Sequence, residues 1–278
     1  MSMVPVPNPD PRSGAWSFLC ISCAAGLIAA FLFSAFPQID LAVSRLFYLD
    51  DGTFFFASPS AAATIRLLLR ILFGLVCTAA VIGFAAIAFF NRRLLNLGLA
   101  ASAYIALCAA VGPGLVANLG FKDHWGRARP VHITEFGGSK EFTPPMLRTD
   151  QCERNCAFIS GEASNYFALG FTFAFLATGR RRRQLFLAAI AAGSFAGLIR
   201  IGGGGHFLSD VVFAGVFMAF VTRGLAWLIL DRLGPHLTEG SDFHQRILGA
   251  GEQLARAARR IWDAVRQRLA GRRKAPDG

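Results

Sequence analysis

The sequence predicts an all-α membrane protein: a six-transmembrane-helix bundle with an external polar loop between helices 3 and 4 and a cytoplasmic amphipathic tail. Three observations predict it. The chain is 54% hydrophobic, with 27 Phe and only 16% charged residues among 278, too apolar for an ordinary soluble domain of this length. Most of its apolar residues gather into runs near the roughly 20 that cross a bilayer. The basic excess, 28 Lys and Arg against 17 Asp and Glu, lies mostly in short clusters beside those runs. That is the pattern of the positive-inside rule, and it argues against a nucleic-acid partner.

Three regions follow: 1–14, polar, proline-rich and expected to be disordered; 15–230, the membrane domain; and 231–278, the tail. The run Trp16–Phe36 is longer than a signal-peptide core and reads as an uncleaved first span. Residues 37–64 set Asp40, Asp50 and Asp51 against Arg45 before a Ser/Ala/Pro stretch, and read as an external loop with short structure. A second span runs from Leu67 to Phe90 and is closed by Arg92 and Arg93. The third, Leu95 to Leu119, contains Gly112-Pro113-Gly114, which should kink or unwind it.

Residues 120–160 are polar, and apolar character resumes at Ala163–Ala177, a short fourth span ending at Arg180-Arg181-Arg182-Arg183. Leu185–Ile199 and Leu208–Leu230 are the fifth and sixth. Arg92-Arg93, the Arg180–Arg183 cluster and the tail fall on one side, which the charge rule assigns to the cytoplasm. The 120–160 loop and the turn from Arg200 to His206 share the other. In the tail, Ile247, Leu248, Leu254, Ala258, Ile261, Val265 and Leu269 recur at helical spacing. This suits a basic amphipathic helix on the anionic inner leaflet; a solvated, partly disordered tail fits equally.

Chemistry concentrates at the external ends of the spans. In Arg200-Ile201-Gly202-Gly203-Gly204-Gly205-His206-Phe207-Leu208-Ser209-Asp210, His206 and Asp210 stand one helical turn apart. A carboxylate there can orient the imidazole and leave its other nitrogen free to attack. The glycines let Arg200 fold back toward His206. The bland alternative is a buried structural His–Asp pair. Lys122-Asp123-His124-Trp125-Gly126-Arg127-Ala128-Arg129-Pro130 places three cations on the external side, where the charge rule disfavours them. Lipid headgroup contact or a phosphate clamp would compensate. Ser160-Gly161-Glu162 precedes the fourth span, as an anion site at a helix start or as an ordinary serine cap.

Together these three motifs resemble the type 2 phosphatidic acid phosphatase family, in the superfamily that includes the vanadium haloperoxidases. The family pattern is Lys, six residues, Arg-Pro; then Pro-Ser-Gly-His; then Ser-Arg, five residues, His, three residues, Asp. Lys122 with Arg129-Pro130, then Ser160-Gly161, then Arg200 with His206 and Asp210 match it in order and internal spacing. Two positions depart: Glu162 stands where the family has its second histidine, and Ile199 where it has serine. The first puts leaving-group protonation in question. The Ser-Gly-Glu variant is similar to that of some bacterial lipid A phosphatases.

The resemblance implies a phosphatase that needs no metal or cofactor and works through a phosphohistidine. His206 would be the nucleophile, with Asp210 holding its tautomer and Glu162 beside the leaving oxygen; Lys122, Arg129, Arg200, Ser160 and Gly161 would bind the phosphoryl oxygens. The substrate would be a lipid phosphate at the periplasmic face of a bacterial inner membrane. Lipid A phosphates, undecaprenyl diphosphate, phosphatidylglycerophosphate and phosphatidic acid are the candidates. The alternatives are a lipid phosphotransferase and a catalytically impaired lipid-phosphate-binding member. A transporter would need ionisable residues at mid-membrane, where these spans carry almost none. Cys152 and Cys156, in the external loop, are candidates for a disulfide, while Cys20, Cys23, Cys77 and Cys108 lie in apolar spans.

Overall fold

The computed structural model describes residues 13–57, 61–91, 97–238 and 240–272, so the N-terminal segment expected to be disordered lies almost wholly outside the described residues. Among the described residues the regular elements are all helices, and the extended pairings are two isolated bridges, Tyr48 with Phe54 and Ile133 with Lys140. Helix α1 spans Ser13–Ala35, α2 Gln38–Arg45, α3 Ala61–Phe90, α4 Leu99–Ala109, α5 Gly161–Leu176, α6 Gly179–Gly202, α7 Leu208–Leu225 and α8 Asp242–Arg272.

Among the described residues, five helical stretches are long and apolar enough to cross a membrane: Ser17–Ala35, Ala62–Phe90, Leu99–Lys122, Gly179–Gly202 and Leu208–Arg232. The sequence predicts six spans; the remaining one, α5, is too short to count among these five. Its 16 residues extend about 24 Å, short of a hydrocarbon core of roughly 30 Å. It packs on α6, α7 and α4 and carries the chain from Ser160, beside Asp210, to the start of α6. Small residues allow the close approach: Gly170 lies against Ala189 and Gly193 beneath the Phe167 ring, where a Cβ would collide.

Pro113 does not break the third span. From Ala110 to Lys122 the α4 helix widens into a π-helical stretch, which absorbs a proline that lacks a backbone donor and carries the chain on to Lys122. The arginines at 180–183 belong to the opening turn of α6.

The segment after α1 departs furthest from a simple loop. Helix α2 buries Asp40 and Ser44, and the aromatic rings of Phe54, Phe136 and Phe207 form a small core over the ends of α6 and α7, with Tyr48 packed on it. The tail is a long helix, as its periodicity suggests. Its first turns dock on the bundle: Ile247 joins Ile87, Ala88 and Leu99, and buried His244 places Nε2 3.1 Å from the Ile87 carbonyl.

Candidate active site

The turn between α6 and α7 is fixed by its backbone. Gly204 adopts φ +64, and a Cβ there would strike the Phe54 ring; both features restrict the position to glycine. Gly205 N–H donates to the Arg200 carbonyl at 2.9 Å, Phe56 N–H to the Gly202 carbonyl and Val131 N–H to the Gly204 carbonyl. The turn therefore carries Arg200 back over Gly205, whose missing side chain makes room for the guanidinium.

His206 is buried, and its Nδ1 lies 2.6 Å from the Ala157 carbonyl oxygen. A carbonyl only accepts, so Nδ1 carries the proton and Nε2 keeps its lone pair. Asp210, expected to hold this tautomer, is 3.7 Å away, too far for a hydrogen bond. Its carboxylate is engaged elsewhere: Oδ1 accepts from Arg127 at 2.6 Å and Oδ2 from the Phe207 N–H at 2.8 Å, capping α7. Burial pushes the imidazole down to about 4; the Asp210 carboxylate opposes this, and repulsion from Arg200 and Lys122 adds to it. The ring is neutral over the physiological range.

Arg127 is the hub behind this wall. It is fully buried and bridges Asp210 to Asp40, at 2.8 Å, while also donating to Ser209 and to the Thr143 carbonyl. Its guanidinium lies 4.3 Å from the centre of the Phe207 ring. Asp40 in turn accepts from the Ser209 N–H and hydroxyl. Of the three cations in the first motif, this one faces inward and ties α2, the polar loop and α7 together.

Lys122, Arg129 and Arg200 face the other way. The Lys122 ammonium lies against Gly161, at 2.8 Å from where a Cβ would stand. Arg129 donates twice to the Asn155 carbonyl, at 2.6 and 3.1 Å. Arg200 is buried, and its Nε has no hydrogen-bond partner. The charges of Lys122, Arg129, Arg200 and Glu162 act on one another, and those of Lys122 and Arg200 act on His206. Ser160 opens α5, but its hydroxyl does not cap the helix; it is buried without a partner. The Ser160 N–H donates to the Asp210 carbonyl at 3.1 Å, joining the second motif to the third. Cys156 N–H to the Lys122 carbonyl and Ala157 N–H to the Arg127 carbonyl join the first. All three motifs meet, and Cys152 and Cys156 form a disulfide at the edge of the same wall.

Residues 98–234 match the model of the PAP2 superfamily. A lipid A 4'-phosphatase of Rhizobium etli is 33% identical over 202 residues, covering 65% of this chain and 75% of the relative. The chain belongs to the PAP2 superfamily. A second superfamily relative, the lipid A 4'-phosphatase of Francisella tularensis subsp. novicida, is 45% identical over 129 residues. That match covers 46% of this chain and 58% of the relative's length. A third, the lipid A 4'-phosphatase of Rhizobium leguminosarum, is 38% identical over 104 residues, 37% of this chain and 43% of the relative. No solved structure matches.

Of the two residues that depart from the expected pattern, Glu162 has partners that the motifs do not contain. Glu162 accepts from Arg66 through both oxygens, at 3.1 and 3.2 Å, and forms an ion pair with Arg70 at 3.1 Å. Burial pushes its carboxyl up, but the Arg66 hydrogen bond and the charges of Arg200, Arg66 and Arg70 outweigh this and hold it below the ordinary glutamate value. Glu162 is an ionised carboxylate here, the wrong state for donating a proton. Arg66, Arg70 and Asp40 all lie outside the motifs. The signal for the arginines was present: they are the only charged residues in the 30 of α3, and a charge in a span needs a partner. Among the described residues, no group of three His, Cys, Asp or Glu side chains stands together as a metal site.

Proposed function

We propose that this protein is a lipid phosphate phosphatase that removes a phosphate from a lipid A-type substrate through a phosphohistidine on His206. One observation carries the reading: a neutral imidazole with Nδ1 tied to Ala157 feels the charges of Lys122 and Arg200, and the Arg129 charge acts on both of those. The unpartnered Ser160 hydroxyl and Arg200 Nε are two further donors for phosphoryl oxygens.

In the first step Nε2 attacks phosphorus, the bond from phosphorus to the lipid oxygen breaks, and that oxygen takes a proton from solvent water. In the second, water attacks the phosphohistidine, the N–P bond breaks, and inorganic phosphate leaves with His206 neutral again. Lys122, Arg129 and Arg200 stabilise the charge on the equatorial oxygens in both. Asp210 acts from behind: with Arg127 and Asp40 it fixes the start of α7 and hence the ring's position. Glu162 serves as a carboxylate, not as the acid. The lipid A assignment is supported by the relatives named above. The arginine clusters at the opposite ends of the spans, and a disulfide at the edge of the site wall, favour a periplasm-facing site in a bacterial inner membrane.

The test is to incubate purified protein with lipid A, undecaprenyl diphosphate, phosphatidylglycerophosphate and phosphatidic acid. Released phosphate and lipid mass are then followed. Lipid A is expected to lose one phosphate, and His206→Ala to release none. Absence of release from every lipid, or equal release by His206→Ala, would overturn the reading.

A further inference from the structure

We propose that Arg66 and Arg70 form a second phosphate subsite beside the reaction centre, in which the Glu162 carboxylate holds both guanidiniums until a second phosphate group of the substrate takes its place. The inference rests on the lipid phosphatase reading and narrows its substrate to lipids carrying two phosphates.

The geometry is that of an anion site already filled by an internal anion. Arg66 and Arg70 are one turn apart on α3 and so share a face. Both reach across to the same carboxylate, Arg66 in a side-on fork through Nε and Nη2 and Arg70 through Nη2 alone. A phosphate accepts from guanidiniums in the same forked manner.

The charges do not balance with Glu162 alone. Two cations stand in an otherwise uncharged membrane helix against one carboxylate, and a charge left over in a span is costly. A phosphate dianion matches both arginines where a carboxylate matches one. The group is also reachable: the side chains of Arg66, Arg70 and Glu162 are 25%, 55% and 20% exposed, against 7% for Arg200.

Two sources of phosphate meet this chemistry, the substrate itself and a neighbouring phospholipid headgroup. Position favours the substrate. Glu162 follows directly on Ser160 and Gly161, where the reacting phosphate is held, and the charges of Arg66 and Arg70 already act on Arg200. A group seated on these arginines therefore shares one polar region with the phosphoryl clamp, where a second charged group of a large bound substrate can reach it.

The experiment measures binding, so that it does not depend on turnover. Full-length His206→Ala protein in phosphatidylglycerol nanodiscs is titrated with lipid A bearing two phosphates and with the same lipid lacking one. The two-phosphate lipid is expected to bind at least about tenfold tighter, the scale of charge-assisted hydrogen bonds. Adding Arg70→Gln should reduce that preference to roughly threefold or less, while Arg70→Lys should keep most of it. Arg70 is chosen because Arg66 still pairs with Glu162 in the variant, so the fold retains its counter-ion. Equal affinity for the two lipids, or an unchanged preference in Arg70→Gln, would overturn the subsite. So would a loss of co-purified phosphatidylglycerol in Arg70→Gln with the preference intact, which would assign the arginines to bulk headgroups. Failure of the phosphatase reading would appear elsewhere, as wild-type protein that releases no phosphate.

Discussion

The Nδ1 atom of His206 lies 2.6 Å from the carbonyl oxygen of Ala157, and this contact, made by a backbone group, sets the protonation of the ring. It separates two mutations that a simple His–Asp pair would make alike. His206→Ala removes the attacking nitrogen and is expected to abolish phosphate release. Asp210→Asn leaves the ring tied to Ala157 and should retain measurable turnover. Its cost should fall on stability, because Arg127 loses one of two buried carboxylates. Removing a partner from a buried pair costs about 3–5 kcal/mol. A clear fall in Tm with residual activity is the expected result; loss of all activity at unchanged Tm would contradict it.

Burial holds His206 at about 4 instead of 6.5. Between those values the unfolded chain binds a proton that the folded chain excludes, so stability falls as pH drops through that window and is unaffected by this group above it. With ¹⁵N-labelled histidine, the signal lost in His206→Gln should stay at neutral-imidazole shifts down to about pH 5. Titration of that signal near 6.5 would mean the ring is solvated.

Much of this was legible in the sequence, because the motif residues sit at fixed short spacings at the ends of apolar runs. Lys122, Arg129, Ser160, Gly161, Arg200, His206 and Asp210 could be named together because their order and spacing resemble a family pattern. The remainder depends on contacts between segments far apart in the chain. Arg66 and Glu162 are 96 residues apart and Asp40 and Ser209 are 169 apart. Neither pairing has a periodicity to betray it. The tautomer-setting acceptor is a main-chain carbonyl, which no side-chain pattern can reveal. The fourth span read as short, and the helix is short; its close contact with α6 through Gly170 of α5 and Gly193 of α6 is one that no apolar run announces.

Lys122→Ala, Arg129→Ala and Arg200→Ala should each lower kcat by about two to three orders of magnitude, the effect of removing one transition-state donor from a water-poor site. Arg200→Lys should restore little, since a point charge does not reproduce a planar fork. A loss below tenfold in any of the three alanine variants would remove that residue from the phosphoryl clamp.

Glu162→Gln distinguishes a carboxylate from an acid. A general acid contributes about 10²–10⁴-fold, so its loss would be severe on a lipid phosphate monoester. The pairing with Arg66 and Arg70 predicts a kcat within about tenfold of wild type, with the larger change in KM. A hundredfold fall in kcat, together with loss of a basic limb in the pH–rate profile, would restore the acid role.

Orientation is tested by labelling. Cysteines introduced between residues 131 and 151 should react with an impermeant thiol reagent in intact spheroplasts, and cysteines in the 246–274 tail should not. The reverse pattern would place the site on the cytoplasmic side.

The clasp around Arg127 also has a chronology. One of its carboxylates, Asp40, is synthesised 87 residues before it, and the other, Asp210, 83 residues after. A chain that has emerged only as far as α6 holds the arginine with half its counter-charge and has no His206 for Ala157 to meet. Both contacts are completed only when α7 enters the membrane, after everything they join has already been made. The complete pocket therefore cannot exist before the last of the helices that build it has been made.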